Sequence, residues 1–255
     1  MKRILVNSCC LIFALLTFCV QPQEQPLKKK SITLGVVEFP PLVIKGSDNV
    51  KCYGEAVDAS IAILSQLQFN VNVECMPPAR LFERVKTGKV DLTINVQGTS
   101  ALDQNATFLK TPFVNLSIVL LRNKMVGDDK SISAIRGYDY LGIRQTLQTQ
   151  GFTFFDMATS TDAIHLFDIG RTSHLISYKQ PYLHYINKQR GALPNIEMSE
   201  QLSVQSYFAI SNTGKYKDDL VRQLEKATDN VDNSTILEFF RSTNQHNLSG
   251  AFRAD

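Results

Sequence analysis

The chain has 255 residues, of which 44% are hydrophobic and 20% charged, and its formal net charge is only +3. That composition is ordinary for a soluble globular protein, and the length allows one large domain or two lobes. So small a charge forms no basic stripe and argues against nucleic acid as a partner.

The N-terminus has the layout of a secretory signal peptide. Lys2 and Arg3 precede an apolar core from Cys9 to Leu16, and Thr17 and Cys19 supply small residues for cleavage after Cys19. The apolar run is short for a membrane span and is interrupted by Asn7 and Ser8. Bulky Phe18 argues against a lipid anchor on Cys19. The expected organisation is a signal peptide over 1–19 and a polar, proline-rich linker over 20–30; cleavage removes two positive charges and leaves +1. It also removes Cys9, Cys10 and Cys19. Cys52 and Cys75 remain as an even pair in an oxidising compartment, expected to form a disulfide, the alternative being two buried thiols.

Ser31 to Glu38 reads as a first strand ended by Phe39-Pro40-Pro41, and Gly46-Ser47-Asp48-Asn49 as a turn. Gly54 precedes a helix from Glu55 to about Gln68, and Asn70 to Glu74 is a second strand. Pro78 sits where a helix tolerates proline. Leu81, Phe82 and Val85 make one apolar face, and Gly88 suits a left-handed stop. Val90 to Val96 alternates as a third strand, which puts Gln97-Gly98-Thr99-Ser100 beyond a strand's carboxyl end, where open α/β sheets bind ligands. Strand, helix, strand, helix, strand predicts a mostly parallel sheet.

Asn115 to Arg122 is a strongly apolar strand. Ser133 to Arg136 reads as a short helical piece, Leu141-Gly142-Ile143 as a strand start, and Phe152 to Phe155 as a strand. Thr161-Asp162 is expected to cap a helix through Phe167, followed by Gly170-Arg171 and a strand at His174 to Ser177. A helix ending in glycine and a basic residue thus occurs twice, which points to two similar units and two lobes. Pro181 to Ile186 reads as a helix and Ser206 to Ile210 as a strand. Tyr216 to Ala227 and a helix capped by Ser234-Thr235 follow, returning the chain to the first lobe.

Taken together, this ordered set resembles the family 3 extracellular solute-binding proteins, periplasmic receptors for amino acids and related solutes. The resemblance rests on Phe39-Pro40-Pro41, Gly54, Ala79-Arg80, Gly88-Lys89-Val90-Asp91, Phe108 to Phe113, Gly170-Arg171 and the terminal helices. It implies a two-lobed α/β periplasmic-binding-protein type II fold, each lobe a mostly parallel sheet flanked by helices, with crossings near Val114–Leu121 and Val204–Ile210. Lobe 1 is then 31–116 with 209–255, and lobe 2 is 117–208. The implied partners are a small-molecule ligand and an inner-membrane permease or sensor, with the protein a periplasmic monomer that closes by hinge motion.

Departures from the family pattern bear on the ligand. The position of the family's carboxylate-binding arginine holds Asp103, and the second-lobe aspartate that takes the amino group is replaced at Ser177 and Tyr178. A bidentate Arg–carboxylate contact is hard to replace. The expectation is a small polar solute other than a standard α-amino acid held in the usual mode. Candidate ligand residues are Phe39, Arg80, Gly98, Thr99, Ser100, Gln145, Thr146 and Tyr178, with Arg144 beside them. Phe39 could stack on a ligand or make a core contact, and Arg80 could replace the missing anion anchor or pair on the surface. His165, His174, His184 and His246 have no metal-ligand spacing, so neither metal nor cofactor is expected. Two alternatives remain. One is a receptor-like protein acting through protein contacts. The other is a dehydratase of cyclic acids with Asp103 or Glu38 as general acid, as in some relatives, although no nucleophile–base pair is visible.

Overall fold

The alternation that predicts the first strand also buries it: Ile32, Leu34 and Val36 all lie in the core. The computed structural model describes residues 29–46, 51–127, 129–188, 195–231 and 234–251, with side chains as far as 243. The expected signal peptide lies outside the described residues, as do most of the linker, Ser47, Asp48, Asn49 and Asp128. The elements in chain order are β1 (Lys30–Val36), β2 (Ile44–Lys45), β3 (Cys52–Tyr53), α1 (Glu55–Gln66), β4 (Phe69–Cys75), α2 (Pro78–Lys86), β5 (Leu92–Val96), α3 (Ser100–Asp103) and β6 (Ala106–Phe108). They continue as β7 (Val114–Asn123), β8 (Ser131–Ile135), α4 (Ile143–Thr149), β9 (Thr153–Met157), α5 (Ser160–Asp168), β10 (His174–Tyr178), α6 (Lys179–Lys188), β11 (Ile196–Ser211), α7 (Lys217–Thr228) and α8 (Ile236–Ala251).

One curled sheet runs β4-β1-β5-β11-β7-β10-β8-β9, with β6 on β11. At one end β1 pairs in parallel with β4 and β5; at the other β8 pairs in parallel with β10 and β9. Between them β7 and β11 run antiparallel from Ile196↔Asn123 to Ser206↔Val114, and these are the two crossing strands. Each end carries helices on its apolar faces. Leu81, Phe82 and Val85 of α2 are buried as their spacing predicts. Gly35 lets β1 pass this helix closely, because a Cβ there would lie 2.5 Å from Leu81 Cδ1 and 2.8 Å from Val90 Cγ1.

The repeated helix stop is a matching pair of Schellman turns. Gly88 N donates to Val85 O and Lys89 N to Arg84 O; Gly170 N donates to Phe167 O and Arg171 N to Leu166 O. Both glycines have positive φ, the conformation this cap needs. The last helix starts with a reciprocal capping box, Thr235 N to Glu238 Oε2 at 2.8 Å and Glu238 N to Thr235 Oγ1 at 3.3 Å.

Three expectations are corrected. Ser133 to Arg136 is not helical: Ser131–Ile135 is a strand, buried at all five residues and paired on both sides. Its small and β-branched side chains suit a strand covered on both faces. Leu141-Gly142-Ile143 does not begin a strand. Tyr140, Leu141 and Gly142 have φ of 52, 57 and 87°, a left-handed run that no strand accommodates, and Ile143 instead opens α4. The cap of α5 is Thr159, two residues before the expected one, accepting from Asp162 N. Among the described residues, no helix is long and apolar enough to cross a membrane.

Candidate functional site

The carboxyl ends of the strands converge where the two ends of the sheet face each other. Beyond β1, a tight turn is closed by Phe39 N to Val43 O at 2.8 Å and Val43 N to Phe39 O at 2.9 Å, which fixes the Phe39 ring at this edge. From the opposite end come Tyr178, the last residue of β10, and the segment 136–142 after β8.

Arg144 holds that segment in place. Its guanidinium donates to Tyr138 O at 2.7 Å, to Ile135 O at 3.1 Å and to Asp156 Oδ1 at 2.7 Å, and stacks 4.3 Å from the Phe154 ring. Tyr140 is fixed separately, its hydroxyl accepting from Ile135 N at 2.9 Å.

The result is an aromatic cluster across the cleft. Ring centroids lie 5.1 Å apart for Phe39–Tyr178, 6.2 Å for Tyr138–Tyr178, 5.8 Å for Tyr138–Tyr140 and 6.2 Å for Phe82–Tyr138. Most of these pairs meet edge-on, the arrangement that ring quadrupoles favour. Beneath them is a cavity of about 70 Å³, lined by residues including Val36, Leu42, Ile94, Asn95, Phe113, Leu116 and Ser206, with Phe39, Tyr138 and Tyr178 over it. None of the side chains lining it carries a charge. Burial pushes the phenols of Tyr138, Tyr140 and Tyr178 above the ordinary tyrosine range, so all three stay neutral at physiological pH. At the rim, Thr161 Oγ1 donates to Glu38 Oε1 at 2.6 Å and ties the two sides together.

The candidate residues separate into three groups. Phe39 and Tyr178 line the cavity and touch each other. Gly98, Thr99 and Ser100 follow β5, but their polar groups serve the local turn. Gly98 N donates to Asp103 Oδ1 at 2.9 Å, Thr99 Oγ1 lies 2.9 Å from Val96 O, and Ser100 is exposed at the start of α3. Arg80 on α2 and Gln145 and Thr146 on α4 are exposed and line no part of the cavity; Thr146 Oγ1 donates back to Gly142 O. Tyr138, Asn95 and Ser206 line the cavity and were not legible as site residues. The outward phase of Asn95 on β5 was the one available signal. Cys52 and Cys75 form the expected disulfide between β3 and β4.

No protein-family profile matches the chain, and no curated protein matches it by sequence. Solved structures do match. An ancestral arginine-binding protein bound to arginine superposes with a TM-score of 0.67 at 16% identity, covering 84% of this chain and 98% of that one. A substrate-binding protein of an ABC uptake transporter from Streptococcus pneumoniae with bound histidine gives 0.65 at 16%, covering 80% and 87%. A histidine kinase sensor domain with similarity to periplasmic binding proteins gives 0.65 at 16%, covering 88% and 95%. The fold is that of the type II periplasmic binding proteins. In such a two-lobed fold the cavity under Phe39, Tyr138 and Tyr178 lies in the inter-lobe cleft.

This periplasmic-binding-protein fold also brings together one constellation that resembles a catalytic one. Ser173 Oγ lies 2.7 Å from Asp129 Oδ1 and 2.9 Å from His174 Nδ1. The hydroxyl stands between acid and imidazole, whereas a nucleophile–base relay needs the imidazole in the middle. The group also sits at the opposite end of β10 from Tyr178, and Ser173 is fully buried. Its role is structural. Hydrogen bonds from the Ser131 hydroxyl, the Ser131 N–H and Ser173 hold the Asp129 carboxyl down to about 2. A folded-state value below the ordinary 3.8 stabilises the fold above pH 3.8, and that contribution is lost as pH falls toward 2. Thermal melts from pH 6 to pH 2 should therefore steepen on the acid side, and Asp129→Asn should flatten that limb. An unchanged acid limb in the variant would show that Asp129 does not carry it.

Proposed function

We propose that the chain is a periplasmic solute-binding protein of the family 3 type. It captures a small solute between a lobe formed by 31–116 with 209–255 and a lobe formed by 117–208. Residues 1–19 act as the export signal, β7 and β11 are the hinge, and the closed form is read by a membrane permease or sensor. The observation that carries this reading is the cavity under Phe39, Tyr138 and Tyr178, walled from both sides of the cleft. Preformed clefts with few polar groups are how such sites take small molecules.

The ligand is not a standard α-amino acid in the usual mode. By the family resemblance Asp103 stands where an arginine is expected, and its carboxylate takes the Gly98 N–H. Tyr178 offers a neutral ring where an ammonium would need a carboxylate. The two carboxylates that could serve an enzyme are engaged, Glu38 with Thr161 and Asp103 with Gly98. Binding without chemistry is therefore the favoured role.

A thermal-shift screen of amino acids, amines, sugars, peptides, organic acids and neutral aromatics tests this. Stabilisation follows mass action, about 2.7 kcal/mol at a hundred times Kd. At least one class should raise the melting temperature. Silence across the panel would favour the alternative of a receptor-like protein acting through protein contacts.

A further inference from the structure

We propose that the inter-lobe cavity selects a small uncharged molecule bearing one flat apolar ring and one or two hydrogen-bonding groups. This rests on the solute-binding reading above and narrows it. The cavity's polar contacts are all neutral: the Asn95 carboxamide, the Ser206 hydroxyl and the phenols of Tyr138 and Tyr178. Asn95 Oδ1 already accepts from Val96 N at 2.9 Å, so the amide offers its Nδ2 donors. Neither the Tyr138 nor the Tyr178 hydroxyl has a hydrogen-bond partner among the described residues, so both keep bonding capacity at the cleft.

Four charged groups near the cleft are engaged by protein groups. Glu38 accepts from Thr161, Asp139 from Leu141 N at 3.2 Å and Asp103 from Gly98 N, while Arg144 is held by Asp156 and two carbonyls. An ion entering the cavity would lose its hydration and meet no counter-charge; ring faces compensate a cation in part, but the rings here meet edge-on and the cavity supplies no carboxylate, so a neutral molecule is favoured. The walls below, Val36, Leu42, Ile94, Phe113 and Leu116, reward apolar surface.

The ring follows from the cluster itself. Phe39 and Tyr138 both meet Tyr178 edge-on, at 62° and 90°. A flat ring inserted between them replaces one aromatic contact with others of the same kind. Size sets the limit. The cavity of about 70 Å³ is roughly half of the ~150 Å³ apolar cavity known to hold benzene. One ring enters after a small parting of the lobes, and a peptide or disaccharide does not.

The absence of tryptophan makes the test direct, since indole emission can be excited without protein background. Indole and p-cresol are titrated into the full exported chain beside benzoate and benzylammonium as size-matched ions, with arginine and histidine as zwitterions. Neutral rings should raise the melting temperature and shift indole emission to the blue saturably. The ions should bind at least about tenfold more weakly, as burial without a counter-charge requires. Asn95→Asp, which keeps the shape and adds a charge, should weaken indole at least about tenfold, and Tyr178→Phe should weaken p-cresol less. Equal binding of an ion, preference for a zwitterion, or indole affinity unchanged in Asn95→Asp would overturn the inference while leaving the receptor reading intact. Failure of every compound in the wider screen would overturn both.

Discussion

Tyr178→Ala is expected to destabilise the protein by about 3 kcal/mol or more, the scale on which buried aromatic side chains are lost, and to enlarge its radius of gyration in solution scattering. Tyr178 is only 7% exposed and is the hub of the cleft, touching Phe39 at 5.1 Å, Tyr138 at 6.2 Å and Tyr140 at 6.3 Å. Its backbone pairs with Ile118 of β7, so the ring is held where a crossing strand meets the second lobe. Truncation leaves a void in the cluster and removes the Phe39 contact, one of those that join the two sides. Tyr178→Phe keeps every ring contact and removes a hydroxyl with no hydrogen-bond partner among the described residues, so its effect should stay within about 1 kcal/mol. Denaturant melts of both variants, with scattering of the alanine variant, give the check. A stable, unexpanded alanine variant, or a phenylalanine variant as damaged as the alanine one, would refute the account of Tyr178 as a main contact between lobes.

Removing the Cys52–Cys75 bridge should cost about 3 kcal/mol, the value the chain-entropy account assigns to a loop of this size. The cysteines are 23 residues apart and 5.4 Å apart at Cα, joining β3 to the end of β4. The loop contains all of α1, whose Ala56, Val57 and Leu64 pack into the main core. For a chain of this length the loss corresponds to a melting point lower by about 6–12 °C. Calorimetry of Cys52→Ser/Cys75→Ser against the oxidised protein measures it, and mass spectrometry without reductant checks the bond. Two free thiols in exported protein, or an unchanged melting point in the double variant, would count against it.

Local chemistry made a large part of this legible. Ile32, Leu34 and Val36 alternate because one strand face is buried, and Leu81, Phe82 and Val85 share one helix face. The Gly88 and Gly170 stops need left-handed backbone, which marks them in any sequence. The site was harder. Phe39 and Tyr178 close strands at the cleft edge, which makes them legible as site residues, whereas Arg80, Gln145 and Thr146 look alike in sequence but are exposed and do not line the cavity. For the last two the cause is the turn at 140–142: a strand ending at Arg144 would point its neighbours into the cleft, whereas α4 turns them outward.

What the sequence by itself determined is the two-unit α/β plan and the cysteine pair. These depend on residue type and short spacing alone. Tertiary structure decided the rest, because the forces there come from partners distant in the chain. The first ten residues of β11 alternate apolar side chains at Ile196, Met198, Leu202 and Val204 but are mostly exposed, so burial does not hold them as a strand; pairing with β7 does. Ser131–Ile135 is a strand because β9 and β10 satisfy its backbone. The left-handed run at Tyr140 and Leu141 stands because the Tyr140 hydroxyl is held by Ile135 N and Arg144 grips the carbonyls of Ile135 and Tyr138. That turn brings Tyr138 against Tyr178 and makes a neutral aromatic cleft out of residues that no short stretch of sequence joins.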